Sequence, residues 1–166
     1  MTNVTVLNFI KTSIIPKMRA IIQRVSESSV TINNKIHSKI NHGFLVLLGI
    51  EQHDTAEDAD WLCQKITQMR IFNDDHGKMN LNLEQIQGEI LVVSQFTLHA
   101  ATAKGNRPSF IKAARPETAI PLYEQFVNTL LTKVATVKTG VFGADMKVSL
   151  TNDGPVTIFI DSKQRE

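Results

Sequence analysis

"NDGPVTIFID", residues 152–161, decides how the end of this chain is read. Asn152, Asp153 and Gly154 have the chemistry of a turn, and Pro155 stands at the mouth of the next alternating apolar run. Proline has no N–H to give to a sheet ladder and suits only a first position or an edge. Asn-Asp-Gly alone would make a turn, so Gly154-Pro155 needs a further reason. On this reading 144–151 and 155–161 are two strands joined by the turn, with another strand over 134–139.

Working back along the chain, "FLVLLGI" (44–50) is a continuous apolar run after Gly43, which predicts a strand buried on both faces. Ahead of it, 18–25 ("MRAIIQRV"), 28–33 and 35–40 read as strands, with a turn at 33–35. After it the period changes. Ala59, Leu62, Cys63, Ile66 and Met69 recur at helical spacing, and Thr55 with Asp58 three residues on resembles a capping box. Residues 73–78 ("NDDHGK") form a turn, 88–100 contain a long strand, and 102–109 are a loop. A second amphipathic helix spans 116–133, with Ala119, Leu122, Tyr123, Phe126, Val127, Leu130 and Leu131 on its apolar face. Pro116 suits a first turn, and Pro121 is an alternative start. The sum is one α/β domain of about eight strands and two main helices. Long βαβ alternation is missing, which argues against a doubly wound nucleotide fold.

Composition narrows the function classes. Eighteen basic against sixteen acidic residues give a net charge of +2, too balanced for a protein that coats nucleic acid by charge alone. A single cysteine, Cys63, forbids an internal disulfide and fits a reducing cytoplasm; its helical apolar position predicts core packing. No apolar stretch approaches the ~20 residues that span a bilayer, so no membrane partner is expected. The first seventeen residues lack a basic start and are broken by Asn8, Lys11 and Pro16, unlike a signal peptide. The folded domain is expected over 18–166, with 1–17 an N-terminal extension outside it.

None of the five histidines stands at a metal-ligand spacing, and most read as solvated. No metal or cofactor is expected. The sequence has no Walker loop, no G-x-S-x-G elbow and no Cys–His signature. Two stretches remain. "SQFTL" (94–98) gathers Ser94, Gln95, Phe96 and Thr97 at the end of an apolar strand, where sites often sit beside loops. The other is Gly154-Pro155.

Taken with "MRAIIQRV", "FLVLLGI", "KMNLNL", "KGNRPSF", "PLYEQFV" and "FGADMKVSL", these stretches resemble the D-aminoacyl-tRNA deacylases, which remove wrongly attached D-amino acids from tRNA. The resemblance spans essentially all of 18–166. His99 departs from it where an aromatic such as Tyr is expected. The resemblance implies a homodimer with a layered β/β/α fold. It also implies that Gly154-Pro155 is a cis pair inserted into the other subunit's site, where its carbonyls select chirality with Arg24 holding the element. The 94–97 strand end would then serve catalysis, with Phe96 either walling an adenosine pocket or packing in the core, and Thr97 either positioning or attacking. Lys104, Arg107, Lys112 and Arg115 fall within twelve residues with no acid between them and would grip tRNA phosphates. A filter that works by clash cannot exclude glycine, so glycine on the wrong tRNA is an expected second substrate. The rival reading is a non-catalytic tRNA-binding or editing module of the same fold.

Overall fold

The computed structural model describes residues 18–165, so the reading of 1–17 as an extension lies outside the described residues. Eight strands, two α-helices and one short 3-10 turn follow one another: β1 (Arg19–Ile32), β2 (Lys35–Ile40), β3 (Gly43–Gly49), α1 (Ala56–Gln68), β4 (Phe72–Asn73), β5 (Met79–Leu81), β6 (Glu89–Ser94), the turn Phe96–His99, α2 (Pro116–Leu131), β7 (Val137–Thr139) and β8 (Lys147–Asp161). The main sheet runs β2-β1-β3-β6-β7, with β8 on β1. β1 is antiparallel to β2, β3 and β8. β3, β6 and β7 are parallel, so α1 and α2 are the crossovers that parallel pairing requires.

The apolar alternation of β3 and β6 sorts the core into two halves. Phe44, Val46, Leu48, Ile90 and Val92 pack with Leu62, Cys63 and Ile66 of α1 and with Tyr123, Phe126 and Leu130 of α2. Their neighbours in sequence, Leu45, Leu91 and Val93, point the other way and meet Val30 and Ile40. The second half of β1 with β2 therefore covers the sheet face opposite the helices, giving the expected β/β/α layering. Both faces of β3 are buried, as its unbroken apolar run implies. Asp58 Oδ2 accepts the Thr55 N–H at 3.0 Å, the capping-box bond read from the sequence. Cys63 is a core residue whose thiol gives its proton to the Phe126 carbonyl. Burial, foremost, pushes its pKa up to about 12, so it is an unreactive thiol.

Several boundaries differ from the sequence reading. Strands 18–25 and 28–33 are one strand, because Ser26 and Glu27 stay extended through register shifts in the pairing with β8. The two strands read over 144–151 and 155–161 are likewise one, β8, and "NDG" does not close a hairpin. The strand in 88–100 stops at Ser94, and that in 134–139 shrinks to β7. Turn 73–78 is bracketed by the short strands β4 and β5. α2 begins at Pro116 and continues through Pro121, which is exposed, so the carbonyl it leaves unpaired can face water. Leu131, placed on the apolar face by spacing, is 51% exposed at the helix end.

Candidate functional site

Between Gln23↔Thr157 and Val25↔Asn152, β1 advances two residues while β8 advances five. Residues 153–156 of β8 therefore stand against Arg24 alone, three more than a regular ladder holds, and leave it as a protrusion, an enlarged form of a β-bulge. Its tip is Asp153, Gly154 and Pro155, all exposed, with the Gly154–Pro155 peptide cis. The motif around it supplies the fastening. Asn152 Oδ1 accepts the Val156 N–H at 2.8 Å, and its amide donates to Val156 O and Thr157 Oγ1, closing the base. From beneath, Arg24 donates Nε to the Asp153 carbonyl at 2.8 Å and Nη1 to the Ile71 carbonyl at 2.6 Å. Arg24 is 6% exposed, not the exposed strand arginine that a plain strand reading gives. Gly154 has φ +142°, and a Cβ there would lie 2.9 Å from Arg24 Nη2 and 2.7 Å from Val156 Cγ2. Only glycine fits above that guanidinium.

The other stretch singled out by sequence lies elsewhere. Ser94 ends β6, the Gln95 N–H bonds the Leu48 carbonyl at 2.7 Å, and Phe96–His99 forms the 3-10 turn. The first bond within that turn is Leu98 N–H to Gln95 O at 3.2 Å. The N–H groups of Phe96 and Thr97 precede it and have no acceptor inside the turn. Gln95 Nε2 donates to Thr97 Oγ1, which fixes both side chains. Phe96 is 56% exposed and meets Phe110 edge-on at 5.1 Å, so it is not a core phenylalanine.

A cavity of about 310 Å³ opens beside this strand end. Ser94, Gln95 and Phe96 form one wall, and Phe142, Ala144 and Met146 face them. Asp145 is its single ionisable lining residue. The 142–146 segment received no role from the sequence reading, although "FGADM" carries a turn signal that the structure uses: Gly143 has φ +74°. Thr97 is not among the lining residues.

The two parts do not meet within one protomer. The protrusion leaves β8 at the level of Arg24, whose guanidinium lies against Gly154, whereas Ser94 is level with Leu48 and hence with Ala20. Four residues along the strands and three strand spacings across the sheet separate them by roughly 20 Å. Residues 153–155 line no part of the cavity.

Lys104, Arg107, Lys112 and Arg115 are all exposed. Their segment is tied beside the cavity by Ala114 N–H to Ile50 O at 2.9 Å and Gln52 N–H to Lys112 O at 3.3 Å; both Ile50 and Ala114 line the cavity. Four of the five histidines are exposed, as read from sequence, but His99 is 2% exposed. Its ring packs against Gly49, and burial, foremost, lowers its pKa. Among the described residues, no group of three or more His, Cys, Asp or Glu side chains is placed to hold a metal, and no helix is long and apolar enough to cross a membrane.

Comparison with known proteins bears on family and fold. The sequence model of the D-Tyr-tRNA(Tyr) deacylase family matches residues 21–161. The chain is 61% identical over 150 residues to the D-aminoacyl-tRNA deacylase of Flavobacterium psychrophilum and 60% identical over 150 residues to that of Bacteroides fragilis; each match covers 90% of this chain and 100% of the relative. Among solved structures, the c-Myc DNA unwinding element binding protein is 41% identical with a TM-score of 0.81, covering 86% of this chain and 97% of that one. A probable eukaryotic D-amino acid tRNA deacylase, 18% identical with a TM-score of 0.75 over 87% of this chain and 99% of that one, shares the fold. On the matched sequence, on relatives aligned over their whole length and on this fold, the chain belongs to the D-Tyr-tRNA(Tyr) deacylase family.

Proposed function

We propose that this protein hydrolyses the ester of D-aminoacyl-tRNA, and that two protomers build each site. The observation that carries the second part is the separation of about 20 Å between the exposed Gly154-Pro155 tip and the cavity beside Ser94–Phe96. A tip fastened by Asn152 and Arg24 yet serving nothing on its own protomer suits insertion into a second copy.

Water adds to the ester carbonyl carbon, the bond to the ribose oxygen breaks, and the water proton ends on that oxygen. Aminoacyl esters are reactive, so positioning and charge stabilisation carry most of the work. The N–H groups of Phe96 and Thr97 suit the developing oxyanion. The hydroxyl of Thr97 already accepts a bond from Gln95 and, among the described residues, is bonded to no His or carboxylate, which favours positioning over attack. Phe96 offers an exposed ring on which the terminal adenine can stack. The partner's tip would present the Gly154 carbonyl to the substrate ammonium and its backbone to the side-chain direction of an L-residue. Rejection by clash ignores side-chain identity, so many D-residues are accepted and glycine passes. Lys104, Arg107, Lys112 and Arg115, exposed on the segment that leads to the cavity-lining Ala114, suit the acceptor-end phosphates. This substrate is met in the cytoplasm.

The test is to incubate the protein with D-Tyr-tRNA, L-Tyr-tRNA and Gly-tRNA and follow ester loss. Loss of the D and glycyl esters with the L-ester spared is expected. Binding of all three with none hydrolysed would favour the non-catalytic module instead.

A further inference from the structure

The 3-10 turn that carries Phe96 and Thr97 is fastened from behind by residues that touch neither the cavity nor the protrusion. Its last carbonyl before His99, Leu98 O, accepts a bond from Arg19 Nη1 at 2.8 Å. Arg19 is the first residue of β1 and is held in turn by Asp161, the last residue of β8 and its partner in the ladder. Arg19 Nε lies 3.3 Å from Asp161 Oδ2. The other oxygen, Oδ1, accepts the N–H groups of Lys163 and Gln164 at 3.0 and 3.2 Å. The Asp161 side chain is 4% exposed and that of Arg19 is 27% exposed. This is a fixed carboxylate aiming a planar guanidinium, whose separate nitrogens meet two acceptors at set angles.

The turn has little freedom on its other side. Gly49 of β3 lies so close that a Cβ there would come within 2.9 Å of Leu98 Cβ and 3.0 Å of Gln95 O. The buried His99 ring also packs there, its Cδ2 3.2 Å from where a Gly49 Cβ would stand. The turn is thus pressed onto β3 and drawn toward the β1–β8 end by Arg19. A 3-10 turn of four residues has little hydrogen bonding of its own to define its position.

We infer that Arg19, aimed by Asp161, is a positioning residue for the reaction, setting the place of the Phe96 and Thr97 N–H groups through Leu98. The inference depends on the proposed deacylase reading. Displacements of 1 Å in such groups can cost about a hundred-fold in rate, whereas ground-state binding of tRNA draws on other parts of the surface. Removing Arg19 should therefore lower kcat with little change in KM.

The experiment measures kcat and KM on D-Tyr-tRNA for wild type, Arg19→Met, Arg19→Ala, Arg19→Lys and Asp161→Asn, with thermal melting of each. Arg19→Met keeps the stem and the β1–β8 backbone pairing. The expected result is a folded Arg19→Met whose kcat falls about ten- to a hundred-fold with KM within about two-fold. Arg19→Lys, with one donor able to reach Leu98 O, should recover part of the loss. Added ethylguanidinium should restore rate to Arg19→Ala but not to Asp161→Asn. Wild-type kcat in a folded Arg19→Met would overturn the inference, as would a rise in KM alone or a loss that follows the unfolded fraction with no rescue. An inert wild type would instead remove the deacylase reading on which it stands.

Discussion

Replacing Arg24 by Met tests whether the fastened protrusion, rather than the mere presence of Gly-Pro, selects chirality. Met fills most of the same buried volume but donates nothing. The substitution strips charged donors from the Asp153 carbonyl, bonded at 2.8 Å, and from the Ile71 carbonyl, bonded at 2.6 Å. Hydrogen bonds from a charged group contribute about 1.5–3 kcal/mol each, so about 3 kcal/mol or more is lost. One of the two bonds fastens the protrusion directly. The other spans to Ile71, in the segment between α1 and β4. The protrusion's own share is that single bond, about 1.5–3 kcal/mol, so its fastened-to-released ratio drops about ten- to a hundred-fold. Single-turnover hydrolysis of D-Tyr-tRNA and L-Tyr-tRNA, run beside a thermal melt, reads the consequence. The variant should melt lower, remain folded at the assay temperature and show a D-to-L rate ratio reduced at least about ten-fold. A folded Arg24→Met with wild-type discrimination would refute the reasoning.

Two further outcomes follow from charges elsewhere. Burial, foremost, with help from the Asp58 and Glu51 charges, pushes the Asp54 pKa up to about 7 from an ordinary 3.8. The folded form then holds a proton that the unfolded chain has lost, so stability falls as pH rises from about 4 to about 7 and the full cost is present above that. Asp54→Asn keeps an acceptor for the Glu51 N–H, bonded at 2.7 Å. It should match wild type near pH 4 and exceed it by up to about 4 kcal/mol at pH 8; a difference that does not change with pH counts against this cost. On the exposed 104–115 segment, Lys104→Gln with Arg107→Gln should reduce the salt dependence of tRNA binding, lowering the slope of log K against log salt by about two. An unchanged slope removes those residues from the phosphate contacts.

Local pattern made the frame of this fold readable. The alternation of β3 and β6, the helical spacing of Ala59, Leu62, Cys63 and Ile66, and the Thr55–Asp58 cap are short-range signals, and each has its place in the structure. The continuity of β1 through Ser26 and of β8 through Gly154 was not readable, because it depends on a register between residues more than a hundred positions apart. Asn-Asp-Gly has the same local chemistry whether it closes a hairpin or crowns a protrusion. Only the pairing of Gln23 with Thr157 and Val25 with Asn152 separates the two. The site was legible in part for the same reason. Ser94–Thr97 and Gly154-Pro155 stood out by composition and by likeness to a family. Phe142 and Met146 line the cavity, and Gly49 and the Arg19–Asp161 pair contact the turn, through neighbours distant in sequence that residue type does not reveal.

The central claim is that the tip of one protomer completes the cavity of the other, and subunit mixing tests it most directly. One variant lacks 153–155, which removes the three-residue excess of β8 over β1, so its strands can close flush. The other carries Phe96→Ala with Thr97→Ala and keeps its tip. Each alone should be strongly impaired on D-Tyr-tRNA, the first for want of a tip and the second for want of the Phe96 ring and the Thr97 hydroxyl. Unfolded and refolded together in equal amounts, they should regain about a quarter of wild-type activity, because half of the dimers are mixed and each mixed dimer holds one complete site. No activity in the mixture, with mixed dimers present, would contradict the account and return the tip to its own protomer.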